Sequence, residues 1–85
     1  MHKLLKLLKA LSNKKRLQII KLLKRKSLNT SEIAKEINLS YRSTAKHLQK
    51  LQNAGFVFGE RQGIYSFYTV NKKQKSQLIH LIKTF

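Results

Sequence analysis

The stretch Thr30-Ser-Glu-Ile-Ala-Lys-Glu-Ile-Asn-Leu-Ser-Tyr-Arg-Ser-Thr-Ala-Lys-His-Leu-Gln-Lys-Leu-Gln-Asn-Ala-Gly55 carries two helical patterns separated by a turn. Asn29 and Glu32 stand three apart, the spacing of a capping box, just ahead of the apolar positions Ile33, Ala34 and Ile37. Asn38-Leu-Ser40 interrupts that pattern as a tight turn, and Ser40 is an apt N-cap for a second helix. That helix places Thr44, Leu48 and Leu51 at i, i+4 and i+7 on an inner face, and Gly55 after Ala54 is a C-terminal stop. A short helix, a turn and a second helix over residues 30–55 make a helix-turn-helix, whose second helix enters the major groove of double-stranded DNA.

On that reading the start of the second helix meets the duplex: Ser40, Tyr41, Arg42, Ser43, Ala45 and Lys46, with Gln49 and Lys50 further along. Arg42 is the candidate base reader, because a guanidinium bonds two guanine acceptors at once. Tyr41 and Ser43 suit bases or phosphates, and Lys46 and Lys50 suit phosphates. A polar outward face is also what any solvated helix presents, so the assignment draws its force from the surrounding plan.

Downstream of Gly55 the period changes from helical to extended. Phe56, Val57 and Phe58, then Ile64, Tyr65, Phe67, Tyr68 and Val70, are the aromatic and β-branched types that favour strands. Gln62-Gly63 supplies a hairpin turn between them, so residues 56–70 form a wing. Its basic tip, Arg61, Gln62 and Gly63, suits a minor groove or backbone phosphate. Tyr65, Phe67 and Tyr68 read as packing of the wing on the core; the competing reading is a base-stacking platform for single strands.

Upstream, the lysines Lys3, Lys6 and Lys9 separate from Leu4, Leu5, Leu7, Leu8 and Leu11 on a first helix. Ser12 and Asn13 end it and start a second, from about Lys14 to Lys24, with Leu17, Ile20 and Leu23 on one stripe and Ile19 and Leu22 beside it. Lys26 to Asn29 reads as a loop. A last helix, about residues 72–85, sets Leu78, Leu81, Ile82 and Phe85 on one side. The class is mainly α with a small β-hairpin (α+β), in the order α-α-α-α-β-β-α, which is a winged helix-turn-helix. One domain over residues 1–85 accommodates it.

Composition narrows the partners. Nineteen Lys and Arg face three acids, a formal charge of +16. Such self-repulsion is relieved by a polyanion, and nucleic acid leads because each phosphate neutralised releases a counterion. Solubility alone is the bland alternative. The chain has no cysteine, which removes disulfides and thiolate chemistry. No run approaches the ~20 apolar residues of a membrane span, and the lysine-punctuated start is no signal peptide; a cytoplasmic protein is expected. Three scattered glutamates and histidines without any aspartate offer no acid–base pair, and no Gly-rich phosphate loop is present. An enzyme is not expected, nor a cofactor.

The terminal helices carry more apolar surface than one small core uses. Residues 1–11 and 72–85 are therefore expected to dimerise the chain, through Leu4, Leu5, Leu8, Leu78, Leu81, Ile82 and Phe85. The competing reading lays the first helix on an anionic membrane; a folded domain following directly argues for the homodimer and against membrane.

The ordered set of motifs resembles the ArsR/SmtB-type winged-helix repressors. The carriers are Lys9-Ala-Leu-Ser-Asn-Lys-Lys-Arg-Leu-Gln-Ile-Ile20, Ser31-Glu-Ile-Ala34, Leu39-Ser40, Lys46-His-Leu48, Leu51, Ala54-Gly-Phe-Val57 and Arg61-Gln-Gly-Ile-Tyr-Ser-Phe-Tyr68. Together they cover about residues 9–71. The resemblance implies a dimeric, operator-binding repressor joined through its first and last helices. His47 falls on the family's recognition-helix histidine, which packs or contacts DNA. Two departures bear on metal. The Cys-x-Cys pair of the family's metal sensors is absent from Thr30 to Ile37. The last helix offers only His80 and no acid, and a two-fold pair of imidazoles is a poor site. No metal is expected. Thr44 and Ala45 depart from the family's commoner valine and serine, so its base preferences do not transfer.

Overall fold

A computed structural model describes residues 2–84 and contains five helices and three strands: α1 (His2–Leu11), α2 (Lys14–Leu23), β1 (Leu28–Asn29), α3 (Thr30–Ile37), α4 (Tyr41–Asn53), β2 (Val57–Gln62), β3 (Tyr65–Val70) and α5 (Gln74–Thr84). The caps are those the residue types favour. Asn13 accepts from the Arg16 amide at the start of α2. Asn29 and Glu32 form a reciprocal capping box on α3, at 2.9 and 3.0 Å. Ser40 Oγ accepts from the Ser43 amide at 3.1 Å on α4.

Both helices of the central motif end in the same way. Asn38 turns left-handed at φ 56° and Gly55 at φ 83°. After each, the chain bonds back across the last turn. Leu39 N–H donates to Ala34 O at 3.0 Å, and Phe56 N–H donates to Leu51 O at 2.9 Å. This six-to-one bond satisfies carbonyls that a helix end leaves open. Lys15 Nζ adds a bond to Ile37 O at 2.6 Å, the favoured place for a cation beside a helix C-terminus.

The core gathers Leu7, Ile19, Leu23, Leu28, Ile33, Ile37, Leu48, Leu51, Phe56 and Val57, all buried. Helix α1 enters it with Leu4, Leu7 and Ala10. Its leucines thus divide between two faces, since Leu5 and Leu8 are exposed; they do not share one face as the pattern suggested. In α2 the buried stripe is Arg16, Ile19 and Leu23, and Leu17, expected on the inner stripe, is exposed. Leu23 keeps its place, but the first two positions lie one residue earlier because α1, α3 and α4 all pack on α2, which a single-helix pattern cannot weigh.

The sheet is antiparallel in the order β1-β3-β2. Leu28 and Asn29, read as loop, pair with Tyr68 and Phe67 as a third strand. Two residues give no alternation to detect, and the pairing partner lies forty residues away. The hairpin register sets Gln62 opposite Tyr65, so the two-residue turn is Gly63-Ile64, one position beyond Gln62-Gly63. Gly63 alone of the two has positive φ, 65°, the type II′ requirement for glycine at the first central position. Helix α5 begins at Gln74 rather than Lys72, after Asn71 Oδ1 has accepted from the Lys73 amide at 3.0 Å.

Candidate nucleic-acid interface

Helix α4 is held by its inner face. Thr44, Leu48 and Leu51 have no measurable exposure. The buried Thr44 hydroxyl donates to Ser40 O at 2.8 Å, so this polar group rests in the core without an unmet bond. The outer face is left for a partner. Ser40, Tyr41, Arg42, Ser43, Lys46, Gln49 and Lys50 are exposed, while Ala45 and His47 are half-buried. Facing away from the core, this surface carries Arg42, Lys46 and Lys50 and no acid.

The structure brings the wing beside the start of α4. A cleft of about 210 Å³ is bounded by Asn29, Thr30, Ser31, Tyr41, Arg61, Ile64, Tyr65 and Ser66. Arg61 and Tyr41 therefore border one surface although twenty residues separate them in sequence. Arg61 Nε donates to Gly63 O at 3.2 Å, which folds its stem along the tip. Arg61, Gln62 and Gly63 are all exposed. Ile64, expected in the second strand of the wing, lies in the turn instead and is the most exposed large apolar side chain of the described residues at 81%. Its signal was its place in the turn, one residue beyond the one assigned. Tyr65 and Phe67 meet edge to face with ring centres 6.4 Å apart. Phe67 and Tyr68 are half-buried, and Tyr68 packs on the core.

His47 sits where α4 meets α2. Its Nδ1 is 3.2 Å from Arg16 Nη1. Burial lowers its pKa first, and the charges of Arg16 and then Lys50 lower it further. Arg16 is itself buried, at 9% exposure. Its Nε donates to Ala10 O at 2.6 Å and its Nη2 to Lys9 O at 3.3 Å. Nothing in the sequence singles out Arg16, since an arginine in a lysine-rich helix carries no local mark of burial.

Of the residues expected at a dimer contact, Leu5, Leu8 and Ile82 are exposed, at 56%, 43% and 53%. Ile79, at 43%, joins them on α5. Leu78 and Leu81 are half-buried against the core. Leu4 is 5% exposed; it is consumed by the chain's own core and has almost no surface to offer a second copy. Phe85 lies outside the described residues. Among the described residues, no three His, Cys, Asp or Glu side chains come together as a metal group, and no helix is long and apolar enough to cross a membrane.

A helix-turn-helix with a basic outer face, flanked by a β-hairpin wing, defines a winged helix-turn-helix DNA-binding protein. Residues 13–57 match the bacterial regulatory protein arsR family. The transcriptional activator HlyU of Vibrio cholerae is 32% identical over 76 residues, covering 89% of this chain and 70% of the relative. The chain belongs to the ArsR family of transcriptional regulators. Its fold is that of a homodimeric winged helix-turn-helix DNA-binding domain from Mycobacterium bovis, with a TM-score of 0.82, 26% identity and coverage of 98% and 77% of the two chains. HlyU from Vibrio cholerae superposes with a TM-score of 0.78 at 29% identity, over 99% of this chain and 92% of that one.

Proposed function

We propose that this regulator is a homodimer that binds a pseudo-palindromic operator in double-stranded DNA and represses by occupying it. The observation that carries the reading is the outer face of α4. It is polar, acid-free and exposed, on a helix whose inner face is fully buried, so side chains project from a rigid support. Arg42 is the base reader. Lys46 and Lys50 engage phosphates, with Ser40, Tyr41, Ser43, Ala45, His47 and Gln49 completing the surface, and Arg61, Gln62 and Gly63 engage the adjacent groove or backbone. Neither metal nor cofactor nor catalysis enters this reading, and the cytoplasm is the compartment it requires.

Dimerisation is supported by the exposed Leu5, Leu8, Ile79 and Ile82 on the terminal helices and by the homodimeric neighbour. Two copies related by a two-fold axis would set their recognition helices about 34–36 Å apart, one turn of DNA. HlyU carries the name of an activator; operator binding is common to both signs of regulation, and repression follows where the site overlaps a promoter. A second reading is favoured by the excess of lysine over arginine: a non-specific coater of DNA, since lysine acts as a point charge.

The test is fluorescence anisotropy with a selected pool of duplexes and with random duplex, each across a salt series, alongside sedimentation equilibrium. A recovered palindrome with a specificity ratio of at least ~10³ and a two-chain mass is expected. A steep salt slope with no preferred sequence would establish the coater. A Leu5→Lys, Ile82→Lys variant that stays dimeric would dismiss the proposed contact.

A further inference from the structure

Four cationic side chains surround one cleft, and of the four only Lys50 also belongs to the α4 surface assigned to DNA. The cleft, about 270 Å³, lies between α1, α2 and α4 and is lined by Lys6, Lys9, Arg16, Lys50 and Asn53, with Ala10 and Ala54. Nothing in that lining is acidic. Like charges gathered in a concavity repel one another, and low-dielectric walls strengthen the field they make.

Arg16 is the least exposed of the four cations. Of the five N–H groups of its guanidinium, three are engaged, by Ala10 O, Lys9 O and His47 Nδ1. No carboxylate is among these partners. Its charge is met by the carbonyls at the end of α1, where a helix C-terminus carries only partial negative charge, and by a neutral ring nitrogen. The site is also set apart along α4. Lys50 follows Arg42 by eight residues, which at 1.5 Å per residue is about 12 Å along the helix.

We propose that this cleft is a phosphate-binding site, in which Lys6, Lys9 and Lys50 surround the anion, the Asn53 amide donates to it and Arg16 forms the cationic floor. A phosphate suits the set because its several oxygens accept from ammonium, amide and guanidinium groups at once. The phosphate belongs either to a free phosphorylated ligand or to the backbone of DNA. In both cases it bridges α1, which bears the exposed Leu5 and Leu8, to the C-terminal half of α4. Any coupling to DNA affinity rests on the operator-binding reading; the binding of phosphate does not.

His47 supplies a reporter, since the cations that hold its pKa down include Arg16 and Lys50. Inorganic pyrophosphate is titrated into the full chain at near-physiological salt and followed by amide and histidine-ring NMR. The expected result is a saturable perturbation confined to Lys6, Lys9, Ala10, Arg16 and Lys50 to Ala54, with the His47 titration midpoint moving upward. Lys6→Gln with Lys9→Gln should weaken pyrophosphate roughly tenfold, for two lost charge-assisted contacts. Lys24→Gln with Lys26→Gln, the same loss of charge elsewhere on the surface, should change it little. Perturbation spread over every lysine-rich face, or equal weakening by the two pairs, would overturn the site. The source is read by adding duplex DNA. If DNA displaces pyrophosphate and the Lys6, Lys9 pair lowers the salt slope by about two, the phosphate is DNA backbone. If both bind together, it is a free ligand. Failure to bind any duplex would leave the pyrophosphate result standing.

Discussion

The guanidinium of Arg16 donates through Nη1 to Nδ1 of His47, 3.2 Å away and 31 residues on in the chain. Arginine has no acceptor, so the ring nitrogen facing it must offer a lone pair. The His47 ring is therefore neutral, with its proton on Nε2. The same guanidinium holds Lys9 O and Ala10 O. One side chain of α2 thus joins the end of α1 to the middle of the recognition helix.

This contact makes stability depend on pH. Burial, Arg16 and Lys50 lower the His47 pKa in the folded chain, whereas the unfolded chain takes up the proton near the ordinary value of about 6.5. Below that pH the unfolded state binds more protons, so stability falls as pH is lowered. Urea unfolding across about pH 5 to 8 should show this loss. His47→Gln, which keeps an amide oxygen near Arg16 and cannot titrate, should flatten the curve; an unchanged profile would place the effect elsewhere.

Arg16→Ala removes a buried cation and its bond to the Ala10 carbonyl, while Lys9 O keeps the Ser12 hydroxyl and amide. Hydrogen bonds from charged groups contribute about 1.5–3 kcal/mol each, so a loss of about 2–4 kcal/mol is expected in denaturant unfolding. Arg16→Lys keeps the charge without the fork that reaches Ala10, Lys9 and His47 together. It should recover only part of the loss. Full recovery would mean that charge alone matters.

Arg42 and Lys46 are both exposed on α4 but are assigned different work. Arg42→Ala should cost about 1–3 kcal/mol in binding and relax preference at one base. Lys46→Ala should weaken all duplexes alike and reduce the salt slope by about one. Competition binding with single-base operator variants separates the two; identical behaviour would remove the division between base and phosphate contacts.

Gly55→Ala tests the junction between α4 and α5. Gly55 is left-handed, and a Cβ there would meet Gln74 Nε2 at 2.9 Å. Gln74 is buried and donates to Ala54 O, and Asn71 Nδ2 donates to Gly55 O at 2.8 Å. The backbone conformation alone costs a non-glycine residue about 1–2 kcal/mol. Displacing Gln74 adds to that, so the melting temperature should fall and amide exchange should quicken selectively in α5.

Much of this architecture is written in neighbouring residues. The Asn29–Glu32 capping box, the Ser40 cap, the Thr44, Leu48, Leu51 stripe and the stop at Gly55 each need only a few adjacent positions to act. Their geometry is set by the backbone of one helix turn. The wing was legible because β-branched and aromatic residues flank a glycine, although the turn itself lies one residue later, where Gly63 can take positive φ.

Local pattern thus determined the order of the helices and the wing, the charge and the outward face of α4, because those follow from periods of two and 3.6 residues and from side-chain type. Tertiary packing decided the rest. It chose Leu4 and Leu7 for the core and left Leu5 and Leu8 outside. It made Leu28 and Asn29 a strand, and it buried Arg16 against His47 and drew Lys6, Lys9 and Lys50 around one cleft. These contacts join residues separated by about thirty to forty-five positions, and which of them form depends on how α1, α2 and α4 cross, a geometry that no single helix encodes in its own period.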